Sequence, residues 1–361
     1  MENYIVSARK YRPNTWESVV GQEAITSTLK NAITNNKLAQ AYLFCGPRGV
    51  GKTTCARLFA KSINADAASF DEDFSFNIFE LDGASNNKVE DIRSLIDQVR
   101  IPPQVGNYKV YIIDEVHMLS SGAFNAFLKT LEEPPKHAIF ILATTEKHKV
   151  LPTILSRCQI YDFNRITVSD MAKHLAYICQ QENVKFEENA LHVIAEKADG
   201  ALRDALSMLD QLISFSGGNL TYDVVIKNLH ILDYDYYFKL TESFLRQDIP
   251  SALLIFDEIL AKGFDGHHFI NGLASHFRNL MVCKDASTLK LMDVSEEVKN
   301  RYLEQTKQTS LSFLLDGLEI LSKADYEYKS SKNQRLFVEL ALMQLSSLLF
   351  EGAEKKKLVL N

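Results

Sequence analysis

Gly46-Pro47-Arg48-Gly49-Val50-Gly51-Lys52-Thr53 decides the reading of this chain. The spacing is G-x-x-x-x-G-K-T, the signature of a loop that cradles phosphate groups. The apolar run Ala41–Cys45 precedes it and reads as a buried strand, and Thr54–Lys61 follows with helical spacing. The loop therefore lies where the signature requires it, between a strand and a helix. Its glycines allow torsions that aim several backbone N–H groups at one point, and the helix N-terminus adds partial positive charge. Lys52 is expected to reach the β- and γ-phosphates, Thr53 to hold Mg²⁺ through its hydroxyl, and Thr54 to belong to the same phosphate-binding group. A second half of such a site follows at Val110-Tyr111-Ile112-Ile113-Asp114-Glu115. Four apolar residues make a strand buried on both faces, and its two carboxylates sit at the C-terminal tip, where ligands bind in open parallel sheets. Alone, two acids there mark only a solvated strand end. Paired with the loop, Asp114 is placed to hold Mg²⁺ through water and Glu115 to polarise the water that attacks the γ-phosphate.

The chain has 361 residues, too many for one simple core, so two or three domains are expected. Apolar residues make up 46% and charged residues 24%, the profile of a folded soluble protein. No apolar run approaches the length of a bilayer span and no signal peptide is legible, so the expected setting is the cytoplasm, without membrane contact. A net charge of −6 argues against a generally basic nucleic-acid binder and leaves any DNA contact to a local patch. Cys45, Cys55, Cys158, Cys179 and Cys283 form no C-x-x-C pair, so a zinc ribbon lacks ligands; they read as small buried apolar residues in a reducing compartment.

Residues 41–163 alternate strand-like and helix-like runs. The strands are expected at Tyr42–Cys45, Phe76–Leu81, Lys109–Ile113, Ala138–Ala143 and Gln159–Phe163. The helices between them are expected at Lys52–Asn64, Val89–Val99 and Gly122–Glu132. That alternation predicts a parallel sheet with helices on both faces. Residues 168–230 carry only helical periodicity. Tyr234–Leu349 is again helical, with breaks near Asp248–Pro250, Gly263–Gly266 and Ser330–Asn333. The expected division is an α/β nucleotide-binding domain at 1–165, a small helical lid at 166–232 and an all-α domain at 233–361. This is the plan of an AAA+ ATPase with an added helical collar.

Further stretches narrow the resemblance. Ala143-Thr144-Thr145-Glu146 ends the fourth strand, where AAA+ proteins keep a polar residue that senses the γ-phosphate; the sequence does not choose between Thr144 and Thr145. Ser156-Arg157-Cys158 resembles the S-R-C motif of clamp-loader ATPases, whose arginine reaches the neighbouring subunit's ATP site. Gly200-Ala201-Leu202-Arg203-Asp204-Ala205 resembles the sensor-2 motif, whose arginine touches the γ-phosphate in its own subunit. Lys10-Tyr11-Arg12-Pro13 with Val20-Gly21-Gln22 resembles the N-terminal box beside the adenine. With Asp114–Leu119, Leu131-Glu132-Glu133-Pro134-Pro135 and Asp82–Arg93, these match the gamma/tau subunits of bacterial DNA polymerase III over essentially the whole chain.

The resemblance implies an ATP-driven motor, an ATPase within the polymerase holoenzyme, that loads the sliding clamp beta onto primer–template DNA. It implies assembly with delta and delta prime subunits and with further copies of itself. Glu115, Lys52 and, in trans, Arg157 would be catalytic. In this family the helix after Ala84 meets the DNA backbone, which nominates Lys88, Arg93 and Arg100; otherwise they form a solvated face. His117 reads as structural, and the aromatic cluster Tyr234–Phe238 as packing. Gamma/tau chains usually carry a four-cysteine zinc module where this chain has Ala65–Asp73, without a ligand set, so no zinc is expected. Two other classes compete. A non-hydrolysing delta-prime-like subunit is disfavoured because Lys52, Thr53, Asp114 and Glu115 are all present. A branch-migration helicase is disfavoured by the S-R-C motif and the long helical third domain.

Overall fold

The computed structural model describes residues 5–64, 77–104, 106–229, 232–292, 294 and 296–350. The expectation of no zinc rests on Ala65–Asp73, which lies outside them. The chain separates into two compact units, 1–219 and 220–361, so the break falls ahead of the division at 232/233 expected from the sequence, and residues 220–232 go with the second unit.

The first unit opens with the short helix α1 (Ser7–Lys10) and α2 (Glu23–Thr34). Strands and helices then alternate as β1 (Ala41–Cys45), α3 (Lys52–Asn64), β2 (Ile78–Asp82), α4 (Val89–Val99), β3 (Lys109–Asp114), α5 (Ser121–Glu132), β4 (Ala138–Thr144), α6 (Pro152–Leu155) and β5 (Gln159–Asp162). The strands form a parallel sheet ordered β2-β3-β4-β1-β5. Every residue of β1 and of β4 is buried, while the edge strands β2 and β5 carry the exposed Glu80, Asp82, Gln159 and Asp162. Continuous apolar strands are what a sheet covered on both faces needs. Phe44, Ile112 and Ile141 face one way with Leu29 and Phe59, and Leu43, Tyr111 and Phe140 face the other with Ile92 and Phe127. Phe127 meets Phe140 edge to face with centroids 5.2 Å apart.

The register aligns Cys45 with Thr144 and Asp82 with Asp114, so the polar strand ends gather at one edge. The lid follows as α7 (Val168–Gln181), α8 (Glu188–Lys197) and α9 (Leu202–Ser216). A two-residue strand, Lys185–Phe186, interrupts the helical run expected there, and the Lys185 amide donates to the Gly218 carbonyl at 3.0 Å.

The second unit contains α10 (Tyr222–Asn228), α11 (Tyr234–Leu245), α12 (Ile249–Ala261), α13 (Gly266–Val282), α14 (Glu296–Thr306), α15 (Leu311–Tyr328) and α16 (Gln334–Ser347). The three expected breaks occur, and a further one after Val282 holds a 3₁₀ turn at Ala286–Leu291. Tyr237 and Phe238 pack into the core with Phe244, Phe256, Phe269, Phe277 and Phe313. Gly317 lets α15 approach α13, since a Cβ there would lie 2.4 Å from the Phe277 ring. His276 is 1% exposed and fully hydrogen-bonded. Gln305 gives its amide N–H to the Phe238 carbonyl at 2.8 Å and so offers Oε1 to His276 Nε2 at 3.0 Å. That makes Nε2 the protonated nitrogen and Nδ1 the acceptor for the Tyr302 hydroxyl at 3.0 Å. Burial holds its pKa down at about 3.

Candidate nucleotide site

The loop between β1 and α3 has the torsions its glycines predict, with φ of 145° at Gly46, 77° at Gly49 and 101° at Gly51. Gly46 is also a point of close approach, because a Cβ would fall 2.4 Å from the Phe163 carbonyl oxygen. Lys52, the first residue of α3, is 6% exposed. Its ammonium donates to the Gly46 and Pro47 carbonyls at 2.8 and 2.7 Å. Burial lowers its pKa, and the nearby Glu115 and Asp114 pull it back up. Thr53 donates its hydroxyl to Asp114 Oδ2 at 2.6 Å, which ties the loop to the tip of β3.

Glu115 follows in the left-handed region at φ 47°. A residue with a Cβ pays about 1–2 kcal/mol for that conformation, and here it turns the carboxylate back over the strand ends. One oxygen, Oε2, accepts from both the amide and the hydroxyl of Thr145, at 3.2 and 2.9 Å. Thr144, by contrast, is fully buried; its hydroxyl lies 2.9 Å from His117 Nδ1 and accepts from the Glu146 amide at 3.0 Å. The two adjacent threonines thus have different partners, and Thr145 is the one on Glu115.

A cleft of about 820 Å³ is lined by Arg48–Thr54, Asp114, Glu115, Tyr11, Arg12, Val20 and, from the lid, Arg203. α9 begins against the loop: the Arg203 amide donates to the Gly49 carbonyl at 3.4 Å. Arg9, Arg12, Arg48, Lys52 and Arg203 line the cleft opposite four acids, Glu80, Asp82, Asp114 and Glu115. Burial and the neighbouring Arg57, Arg203 and Arg9 lower the pKa of Arg12, while Glu80 opposes them. Arg57 itself is paired bidentately with Glu80 at 2.7 and 2.6 Å.

The N-terminal segment is fastened at both ends. Ser7 bonds Asp210 of α9 through its amide, at 2.8 Å, and through its hydroxyl; Lys10 and Tyr11 both bond Glu182 after α7. On the other side the Trp16 indole donates to Ser62 of α3 at 3.0 Å. Burial, and then the hydrogen bond to Glu182, push the Tyr11 hydroxyl pKa upward. These links escaped the sequence reading because they join positions far apart in the chain.

Arg157 stands outside the cleft. Its guanidinium donates to the Thr153 carbonyl at 2.7 Å, to the Ser156 hydroxyl at 3.2 Å and to Glu132 at 2.6 Å. Lys88, Arg93 and Arg100 are exposed along α4 and its ends, and among the described residues none of the three forms an ion pair. Arg93 and Arg100 are about two helical turns apart and share a face, but Glu90 and Asp97 are exposed on the same helix. His117 was read from sequence as structural rather than catalytic; its side chain is 5% exposed and lies against Glu115, 3.4 Å from Oε2. Its place two residues beyond the acidic pair was the one available signal.

Three family models match in series. They are the DNA polymerase III delta subunit over residues 21–167, the DNA polymerase III clamp loader subunit ATPase lid domain over 170–218, and domain III of the DNA polymerase III subunits gamma and tau over 224–359. The chain is 33% identical over 364 residues to a DNA polymerase III subunit gamma of Buchnera aphidicola subsp. Baizongia pistaciae, covering 96% of this chain and 98% of that one. The chain belongs to the gamma/tau family of DNA polymerase III subunits. Other gamma/tau relatives are longer. The tau subunit of Bacillus subtilis is 42% identical over 356 residues, covering 95% of this chain and 63% of the relative. The tau subunit of Escherichia coli K12 is 40% identical over 276 residues, covering 73% of this chain and 43% of the relative. Among solved structures, the Thermotoga maritima RuvB Holliday junction branch migration motor aligns with a TM-score of 0.50 at 21% identity, covering 65% of this chain and 79% of that one. This agrees with an AAA+ fold and says nothing of shared function. No helix of the described residues is long and apolar enough to cross a membrane.

Proposed function

We propose that this gamma/tau-family chain is the ATP-hydrolysing motor of a clamp loader, working in the reducing cytoplasm with delta, delta prime and further copies of itself. The observation that carries the reading is the 2.6 Å bond from Thr53 to Asp114. It joins the phosphate loop to the acidic strand tip, with Lys52 and Glu115 in the same cleft. A subunit that only binds its partners needs no such convergence.

The donor set fits a magnesium nucleotide. The buried Lys52 ammonium rests on two loop carbonyls within the phosphate loop and would exchange them for phosphate oxygens, and Thr53 and Asp114 offer the hard oxygen donors Mg²⁺ prefers. Bound Mg²⁺ would neutralise charge on the phosphates. Gly46–Gly51 would hold the phosphates by backbone N–H groups, Tyr11, Arg12 and Val20 would border the base, and Arg203 would meet the γ-phosphate from the lid. Glu115 would orient and deprotonate the attacking water, and Thr145 would be the sensor that holds Glu115 until it is needed. Arg157, lying outside its own cleft, would complete a neighbour's site. Arg93, Arg100 and Lys88 would meet the backbone of primer–template DNA, a contact without base specificity. The three-part division into nucleotide domain, lid and collar belongs to this reading.

The test is ATP turnover by the chain assembled with delta and delta prime, with and without the sliding clamp beta and primer–template DNA. Turnover should rise only when both are added. A rate indifferent to the clamp would remove the clamp-loading assignment while leaving the ATPase.

A further inference from the structure

We infer that His117 is a positioning residue for the catalytic carboxylate, and that through Glu146 it links Glu115 to the outer turn leading towards Arg157. The inference rests on the ATPase reading above and adds a residue to it.

His117 occupies the 3₁₀ turn Val116–Met118, which the left-handed Glu115 starts. Its ring is enclosed by three oxygen-bearing side chains. Nδ1 lies 2.9 Å from Thr144 Oγ1 and 3.4 Å from Glu115 Oε2, and Nε2 lies 3.4 Å from Glu146 Oε1. Thr144 is fully buried and is itself fixed by the Glu146 amide. Glu146 in turn pairs with Lys149 at 2.8 Å, a contact that lowers its pKa. The polar chain therefore runs Thr145, Glu115, His117, Glu146, Lys149, and it leaves the cleft for the exposed turn at Lys147–Lys149. That turn leads directly into α6 and then to Arg157.

Two features give His117 more than a packing role. First, Glu115 Oε2 carries three neighbours, the Thr145 amide, the Thr145 hydroxyl and the His117 ring, while Oε1 forms no hydrogen bond among the described residues. The side of the carboxylate that stays anchored is thus set jointly by Thr145 and His117. Second, both carboxylate contacts of the ring sit at 3.4 Å, beyond ordinary hydrogen-bond length. Small movements of either carboxylate tighten one contact and loosen the other. A shift of Glu146, imposed on the outer turn, is passed to Glu115 through one rigid ring.

The consequence is kinetic. Misplacing a reacting group by about 1 Å costs roughly a hundredfold in rate. His117→Ala should therefore lower kcat for ATP by roughly ten- to a hundredfold, with KM and nucleotide Kd within about twofold of the parent chain. His117→Asn, which returns a polar atom near Nδ1, should recover much of the loss. Glu146→Gln should lower kcat by a few-fold at unchanged Kd, and more in the assembled complex than in the lone chain. The experiment measures kcat, KM, nucleotide Kd and Tm for these three variants and for Glu115→Gln. A His117→Ala chain with parent kcat overturns the inference, and so does a loss that follows weakened nucleotide binding or a lowered Tm without recovery in His117→Asn. An inert parent chain in the assembled complex, or a Glu115→Gln chain as active as the parent, would instead overturn the ATPase reading on which this rests.

Discussion

The cleft around Lys52 and the edge carrying Arg157 are built in opposite ways. In the cleft the groups around the phosphate loop are answered within the site: Lys52 by loop carbonyls, Thr53 by Asp114, Glu115 by Thr145. At the edge, Arg157 is about one-third exposed and is held by an exposed acid, Glu132, and by the Thr153 carbonyl and Ser156 hydroxyl at the surface. An ion pair so placed is worth about 0–1 kcal/mol, and the other two bonds are also exposed, where water can replace them, so little fixes Arg157 in this position. On the proposed function, residues that serve their own nucleotide would be held in place, and a residue that serves another chain would rest where it can leave.

The contrast is broken most severely if Arg157 proves to act at home. Arg157→Ala should leave nucleotide affinity of the lone chain unchanged and lower clamp- and DNA-stimulated turnover in the assembly by about 10³-fold or more, the scale of an arginine finger. Mixing it with Lys52→Ala chains should restore part of the turnover, since an intact loop then meets an intact arginine from another copy. Loss of nucleotide binding by the lone Arg157→Ala chain would end the assignment.

Next in size is the locked cleft itself. Glu115→Gln should bind ATP normally and lose about 10²–10⁴-fold in turnover, the usual scale for a general base, while Lys52→Ala should lose binding. Equilibrium nucleotide binding and steady-state turnover on the same preparations separate the two effects.

The threonine pair sharpens the comparison inside one strand end. Thr145→Val should lower turnover with little change in Tm. Thr144→Val strands a buried amide and a buried ring nitrogen, so it should cost about 1–3 kcal/mol of stability. A Thr144→Val chain with parent Tm would mean that the buried network is not what holds this strand end.

The smallest effect lies in the second unit. Folded His276 has a pKa near 3 and unfolded His near 6.5, so between those values the unfolded chain binds the extra proton. Stability of this unit should therefore fall as pH drops below about 6.5, by at most about 1.4 kcal/mol per pH unit from this group. His276→Gln should flatten that part of the curve in melts between pH 7 and 5; an unchanged slope would place the acid sensitivity elsewhere.

Much of the first unit was legible because its signals are local. Lys52–Asn64 and Val89–Val99 begin and end where helical spacing puts them, and β1, β3, β4 and β5 differ from the reading only at their ends. β4 and β3 were read one residue short because Thr144 and Asp114 are polar, and polar residues at a sheet's functional edge look like strand exits. What stayed hidden depends on approach in space. No pattern around Thr144 and Thr145 says which meets Glu115; the answer lies in which way each side chain leaves β4. His117 looked inert because two of its three partners, Thr144 and Glu146, come from the end of the next strand and the turn after it. Arg157's motif was readable, but its resting contact with Glu132 comes from the end of α5 and has no sequence signature.

The fastening of α1 has a consequence of its own. A strap sewn to the lid at Ser7 and Tyr11 and to α3 at Trp16 cannot follow one side without being stretched by the other. Tyr11 and Arg12, which form the mouth of the cleft, lie on that strap. A ligand that shifted Tyr11 or Arg12 would therefore pull on the lid through Ser7 and Glu182 and on α3 through Trp16.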